Sequence, residues 1–195
     1  MNERQTLAAT ITGTDAPGMA VQLMDAIASA GAEILDFEQV VVREQLILAL
    51  LLGSLPEDVT GLTDKLAGTC ARLGVTLHIR EGVGDNPPRP KRVVVTLLGR
   101  PLLAEHVAAA ARVISEHGGN IDRSRRLSRQ PMTSIEFWVS HAEVADLRPA
   151  LAQASAQAGF DVAVSPAGLA RQGRRLVVMD VDSTLIRDEV IEARK

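Results

Sequence analysis

QTLAATITG at residues 5–13 and VVVTLLG at residues 93–99 are two stretches of the same character. Each is rich in β-branched and aliphatic side chains and ends in a glycine, which is typical of a strand that runs into a turn. The two glycines lie about 86 residues apart, well beyond the repeat period of ordinary solenoids. Further pairs at nearly the same offset are Glu33 with Asn120 and Val75 with Phe160. The chain therefore contains a duplicated domain.

Each copy shows the hydrophobic periodicity of strand, helix, strand, strand, helix, strand. In the first copy, strands are predicted at 5–12, 33–42, 46–52 and 75–80, and helices at 17–30 and 57–73. In the second copy, strands are predicted at 93–98, 120–128, 133–139 and 160–164, and helical stripes run from Leu103 to Ile114 and from Val144 to Ala154. Such an α+β unit places two helices on one face of a four-stranded antiparallel sheet, as in the ferredoxin-like βαββαβ sandwich.

Stretches rich in proline and glycine divide the chain. The first domain is predicted at 1–82 and the second at 92–165, and the Pro-rich segment 83–91 between them is interpreted as a stiff, extended linker. A second linker at 166–174 leads to a short apolar strand that opens the last segment, 175–195. This last segment is therefore separate from the two copies.

The strand at 46–52, LILALLL, is apolar on both faces, whereas a sheet with one wet face should alternate. One interpretation is a central strand with stray surface leucines. The other, which the pattern favours slightly, is that the face opposite the helices, or an adjoining edge, packs against another domain or chain.

The composition is that of an ordinary globular protein of 195 residues, with 46% hydrophobic and 23% charged residues. A net charge of −3 and an aromatic content of 2% favour neither a nucleic acid nor a membrane as a partner. Arg123, Arg125, Arg126 and Arg129 are accordingly interpreted as a solvated strand face. With one cysteine, Cys70, and no signal-peptide pattern, the cytoplasm is the expected location.

The last segment carries VVMDVDSTL at 177–185, an apolar strand followed by two carboxylates. Residues two apart on a strand face the same way, so Asp180 and Asp182 point to one site at the strand's C-terminal end. A carboxylate is a suitable nucleophile for a phosphate monoester, because the acyl phosphate that forms is easily hydrolysed. The alternative is an ordinary strand end at which residues 182–184 cap a helix.

These features resemble two known families. The duplicated unit looks like a tandem of ACT domains, small modules that bind amino acids in regulated metabolic enzymes. DVDSTLIRDEV at 180–190 resembles the first motif of haloacid-dehalogenase-like phosphatases, in the form seen in phosphoserine phosphatases. ACT domains followed by this motif resemble the long bacterial phosphoserine phosphatases, so 175–195 is expected to be the first strand of an α/β haloacid-dehalogenase-like domain.

The resemblance implies a magnesium-dependent hydrolysis of O-phosphoserine to serine and phosphate, the last step of serine biosynthesis. Asp180 would be the nucleophile and a magnesium ligand. Asp182 would be the general acid and base, with its backbone carbonyl on the metal, and Glu189 would recognise the serine portion of the substrate. The family's later motifs are not in this chain, which is therefore expected to be the regulatory part of such an enzyme, truncated after its first catalytic motif and inactive alone.

A candidate amino-acid site lies in the loop GTDAPGM at 13–19. Pro17 suits a first helical turn, Gly18 lets a ligand approach the backbone, and helix N-terminal amides attract a carboxylate. Asp15 could bind the α-amino group, or it could simply cap the helix. By the ACT resemblance, Asn120 of the second copy would complete the site within the chain or in a homodimer, and serine would be the ligand. Two further alternatives are a stand-alone amino-acid sensor and a purely structural dimerisation module.

Overall fold

The computed structural model describes residues 5–53, 59–128 and 131–168, which fall into two compact units that divide after Pro88. Each unit is a four-stranded antiparallel sheet with two helices. The α+β class and the duplicated βαββαβ unit predicted from the sequence are therefore confirmed. The expected phosphatase strand in 175–195 lies outside the described residues.

The first unit has its strands in the order β2-β3-β1-β4. Its elements are β1 (Gln5–Thr14), α1 (Met19–Ser29), β2 (Glu33–Val42), β3 (Gln45–Gly53), α2 (Val59–Leu73) and β4 (Thr76–Val83). The second unit has the equivalent order β6-β7-β5-β8. Its elements are β5 (Val93–Gly99), α3 (Ala104–Glu116), β6 (Asn120–Ser128), β7 (Thr133–Ser140), α4 (Val144–Ala158) and β8 (Asp161–Pro166).

Each unit buries a core of its own between the sheet and the two helices. In the first unit, alternate residues of β3 point to the helices and are buried, and α2 contributes Leu62 and Leu66, both fully buried. The buried residues of β3 are Leu46, Leu48, Leu50 and Leu52. On the other face of the same strand, Ile47 remains 46% exposed. The prediction that this apolar face or its edge packs against another surface therefore stays a prediction.

β2 and β6, each of which is one of the two edge strands of its sheet, carry an irregularity at the same place. In β2 the register with β3 shifts between Ile34 and Asp36, and in β6 the register with β7 shifts between Ile121 and Arg123. A bulge adds one residue to a strand and re-aims the side chains that follow it. Because both bulges come directly after the second residue of the strand, Asp36 and Arg123 occupy equivalent positions in the two units.

The Pro-rich segment 83–91, which the sequence predicted to be an extended linker, forms hydrogen bonds near both of its ends. β4 continues to Val83, and Gly84, in the left-handed region at φ 75°, turns the chain. The side-chain amide of Asn86 then donates a 2.6 Å hydrogen bond to Asp36 on β2. On the second unit, the carbonyl of Pro90 accepts a hydrogen bond from the backbone amide of His141. Both ends of the segment are thus anchored, which proline content alone did not predict.

Cys70 supplies a test of the first unit's core. It is buried on α2, and burial raises the pKa of its thiol because the thiolate is poorly solvated there. The folded state therefore keeps the proton at a pH where the unfolded thiol, with a pKa of about 8.5, loses it. Above about pH 8.5 the native state binds more protons, so the free energy of unfolding should fall as pH rises.

Urea unfolding of the wild type and of Cys70→Ala, compared at about pH 7 and about pH 9.5, isolates this contribution. The wild type is expected to lose more stability between the two pH values than the variant does. An identical loss in both proteins would contradict the prediction.

Candidate functional site

The predicted amino-acid loop connects β1 to α1 and lies on the surface, with Thr14 to Gly18 all exposed. The backbone amide of Asp15 donates a 2.7 Å hydrogen bond to the carbonyl of Glu44, in the turn between β2 and β3. This bond ties the loop to the neighbouring hairpin and leaves the Asp15 carboxylate at the surface. The backbone of the loop is therefore held by the hairpin, while the carboxylate of Asp15 is exposed to solvent.

The start of α1 differs from the prediction in two respects. The helix begins at Met19 with Gly18 as its N-cap, so Pro17 precedes the helix and the placement of Pro17 in the first turn was wrong. No side chain caps this helix, so the alternative role of Asp15 as the N-cap is also wrong. The reason is the left-handed conformation of Gly18, at φ 83°, which a helix cannot continue through. A Cβ added at Gly18 would meet nothing within 4 Å, so the backbone here is open to a ligand.

Asn120 is the first residue of β6 in the second unit and is exposed. Its side-chain amide donates a 2.8 Å hydrogen bond to Asp122 Oδ1. The same oxygen accepts a 3.0 Å hydrogen bond from the buried Ser140 hydroxyl and lies 3.9 Å from Nε of Arg89. Asp122 therefore fixes the orientation of Asn120. Asp122 has no signal in its local sequence, because its role depends on a bulge in β6 and on Ser140 of the neighbouring strand.

A cavity of about 420 Å³ in the second unit lies beside the loop that corresponds to the Asp15 loop. Gly99 and Arg100 line it from the end of β5, and Asp161 lines it from the start of β8. The second copy has no acid in its own loop sequence, but the sheet brings one there from another strand. In the first unit, a cavity of about 450 Å³ lies between α1 and α2 instead and does not include Asp15.

The residues predicted to carry the phosphatase chemistry, Asp180, Asp182 and Glu189, lie outside the described residues. Within the described ranges, no cluster of three or more histidine, cysteine or acidic side chains could hold a metal ion. No helix in this part of the chain is both long and apolar enough to cross a membrane. The described residues thus present the amino-acid loop and Asn120 as candidates for ligand binding, one in each unit.

Comparison with known proteins assigns both units to the same family. One model of the ACT domain matches residues 5–80, and a second model of an ACT domain matches residues 92–165. A crystal structure of an unknown protein from Galdieria sulphuraria superposes on 85% of this chain and on all of its own chain, with a TM-score of 0.71 and 16% sequence identity. At that identity the similarity concerns the fold alone.

Two relatives are similar in sequence over almost the whole chain. A phosphoserine phosphatase from Streptomyces coelicolor is 47% identical over 189 residues, which are 96% of this chain and 46% of the relative. The phosphoserine phosphatase SerB2 of Mycobacterium tuberculosis is 40% identical over 191 residues, which are 94% of this chain and 46% of the relative. The chain thus spans about half the length of these relatives. With two matching domain models on two βαββαβ units, the chain belongs to the ACT domain family and carries two of its domains in tandem.

Proposed function

We propose that this chain is the amino-acid-sensing regulatory part of a magnesium-dependent phosphoserine phosphatase. The observation that carries the proposal is the 47% identity with a phosphoserine phosphatase along 96% of the chain. Two ACT domains in tandem support the proposal, because ACT domains are small modules that bind amino acids in regulated metabolic enzymes. The catalytic reaction is part of the proposal, because the residues that would carry it lie outside the described residues.

In the proposed site, the first unit supplies the charge that recognises an α-amino group. The Asp15 carboxylate is at the surface, and the Glu44 carbonyl fixes the loop that carries it. A hydrogen bond between a carboxylate and an ammonium group is stronger than one between neutral partners. The open backbone at Gly18 leaves room for the ligand's carboxylate to approach the amides at the start of α1.

Asn120 supplies the second half of the proposed site, in the same chain or in the partner of a homodimer. Because its side-chain nitrogen is engaged with Asp122, its side-chain oxygen is the group that it would offer to a ligand. This oxygen can accept a hydrogen bond from an ammonium group or from a hydroxyl. Serine carries both groups and is the product of the proposed reaction, so serine is the proposed ligand.

By the resemblance of residues 180–190, Asp180 is proposed as the nucleophile, Asp182 as the general acid and base, and Glu189 as a contact to the serine portion of the substrate. Asp180 and the backbone carbonyl of Asp182 would hold magnesium, which offsets the repulsion between an anionic nucleophile and an anionic phosphate.

Calorimetric titration of the chain with L-serine tests the sensing role. The wild type is expected to release or absorb heat with saturation at millimolar serine or below. Asp15→Ala should weaken binding by about 10-fold to 100-fold, because it removes a charge-assisted hydrogen bond. Asn120→Ala should weaken binding as well. Asp25→Ala is a matched control, since it removes an exposed carboxylate on α1 that lies away from the loop.

Absence of heat with wild-type protein at millimolar serine would contradict the sensing role and favour a purely structural dimerisation module. Unchanged binding in both Asp15→Ala and Asn120→Ala would place the ligand elsewhere on the chain. In that case, the cavity lined by Arg100 and Asp161 would be the next surface to probe.

A further inference from the structure

The cavity of about 420 Å³ in the second unit holds two opposite charges. Arg100, directly after β5, and Asp161, the first residue of β8, both line it and are exposed to solvent. In the sheet, Asp161 lies opposite Leu98 of β5, so Arg100 follows closely after this pair. Within the described residues, neither charged side chain forms an ion pair or a hydrogen bond. The two charges thus share one cavity, and neither is the partner of the other.

The end of α4 adds a negative potential to the same cavity. Ala156 and Gly159 line it, and Gly159 ends the helix in the left-handed conformation at φ 81°. The backbone amides of Gly159 and Phe160 both donate to the carbonyl of Ser155, one residue before Ala156. The last carbonyls of a helix lack intrahelical partners and carry a partial negative charge. This side of the cavity therefore favours a cation such as an ammonium group.

Contacts within the unit hold the walls of the cavity in place. The imidazole of His106 stacks on Phe160, which lines the cavity, with the ring centroids 5.5 Å apart. Nδ1 of the same imidazole accepts a 3.1 Å hydrogen bond from the backbone amide of Leu103, at the end of the loop that carries Arg100. That loop also lies so close to Gly99 that no Cβ fits there. Because these groups are already in place, less entropy is lost when a ligand binds.

The first unit has no charge at the corresponding positions. Thr14 is the counterpart of Arg100 at the end of the first strand. Thr76, at the same place in the register of β4 with β1, is the counterpart of Asp161. The cavity between α1 and α2 of the first unit includes neither threonine. The two opposite charges therefore occur together in the copy whose cavity they line.

We propose that this cavity binds a small zwitterion, a molecule that carries one carboxylate and one ammonium group. The carboxylate pairs with the guanidinium of Arg100, which can donate two parallel hydrogen bonds to it. The ammonium group binds the carboxylate of Asp161 and the carbonyls at the end of α4. The volume is within the range of about 300–1,000 Å³ that is usual for small-molecule pockets. This site lies within one unit and is separate from the one proposed at Asp15 and Asn120, so either can fail without the other.

NMR titration of the chain with glycine, the smallest zwitterionic amino acid, tests the proposal. The backbone amides of Gly159 and Asp161 are expected to shift, with saturation at about 10 mM glycine or below. L-Serine should shift the same amides. Acetate and methylammonium each carry one of the two charges and should bind at least about 10-fold more weakly, because each leaves one charged group of the site without a partner.

Arg100→Gln and Asp161→Asn each remove one charge and keep a polar side chain. Each should weaken glycine binding by at least about 10-fold, because a charge-assisted hydrogen bond is lost. Circular dichroism checks that each variant is folded. A control variant, Arg112→Gln with Asp146→Asn, neutralises two exposed charges on α3 and α4 that do not line the cavity. This control should bind glycine as the wild type does.

A variant with both Asp15→Ala and Asn120→Ala should still show the shift at Gly159, which separates this site from the one in the proposed function. Loss of the shift in that variant would overturn the proposal, and so would its absence in the wild type at about 10 mM glycine. Equal affinity for acetate and glycine would contradict the proposed role of the ammonium group. A shift that survives both Arg100→Gln and Asp161→Asn would assign binding to other residues and refute the proposed site.

Discussion

Replacing Leu66 with alanine lowers the free energy of unfolding by about 2–5 kcal/mol, the range measured for removing a buried leucine side chain and leaving a cavity. Leu66 is fully buried on α2 and belongs to the core of the first unit. Alanine is the best helix former, so the substitution does not weaken the helix itself and the loss reports on packing. Urea unfolding followed by circular dichroism measures the change.

Val21→Ala is the matched control. Val21 lies on α1 with 62% of its surface exposed, so its substitution should change the free energy of unfolding by no more than about 0.5 kcal/mol. A loss below about 1 kcal/mol for Leu66→Ala would show that α2 does not pack on the sheet as described.

Gly99→Ala is expected to destabilise the second unit by about 1–3 kcal/mol, as overpacking does in a tightly packed site. A Cβ at Gly99 would lie 2.7 Å from the Cα of Leu102 and 2.9 Å from the carbonyl oxygen of Pro101. Both are backbone atoms of the following loop, so a rotamer change cannot relieve the clash and the loop itself must move. Amide hydrogen exchange on β5 and α3 would locate the loss in the second unit.

Gly61→Ala provides the contrast. Gly61 lies in α2, and a Cβ there would meet nothing within 4 Å, so alanine should be neutral or stabilise by up to about 1 kcal/mol. If Gly99→Ala were as well tolerated as Gly61→Ala, the close approach of the loop to the end of β5 would be contradicted.

Gly99 also shows why the fold could be predicted from sequence. Its offset from Gly13 indicated the duplication. In the structure, Gly99 is the last residue of β5 and Gly13 is the last residue but one of β1. At Gly13 an added Cβ would lie 2.6 Å from Cγ1 of Val75, so a glycine is required there too. Strand and helix patterns depend on residues that are close in sequence, and all described elements fell near their predicted bounds.

The candidate site was predicted less completely. Asp15 and Asn120 are exposed, and their role in ligand binding stays a prediction. Pro17 was assigned to a helix that begins two residues later. Proline is compatible with a first helical turn, but the left-handed conformation of Gly18 makes the helix start after Gly18. Asp161, which reaches the cavity of the second unit, has no signal in its local sequence at all.

The sequence by itself determined the duplication and the order of strands and helices, because these follow from periodicity along the chain, and its resemblance to ACT domains indicated the family. Only the tertiary structure decided which side chains share a surface. The bulges in β2 and β6 set the register by which Asp36 and Arg123 become equivalent, and the pairing of β6 with β7 places two arginines over Trp138. Such contacts join residues far apart in sequence, and sheet pairing brings them together.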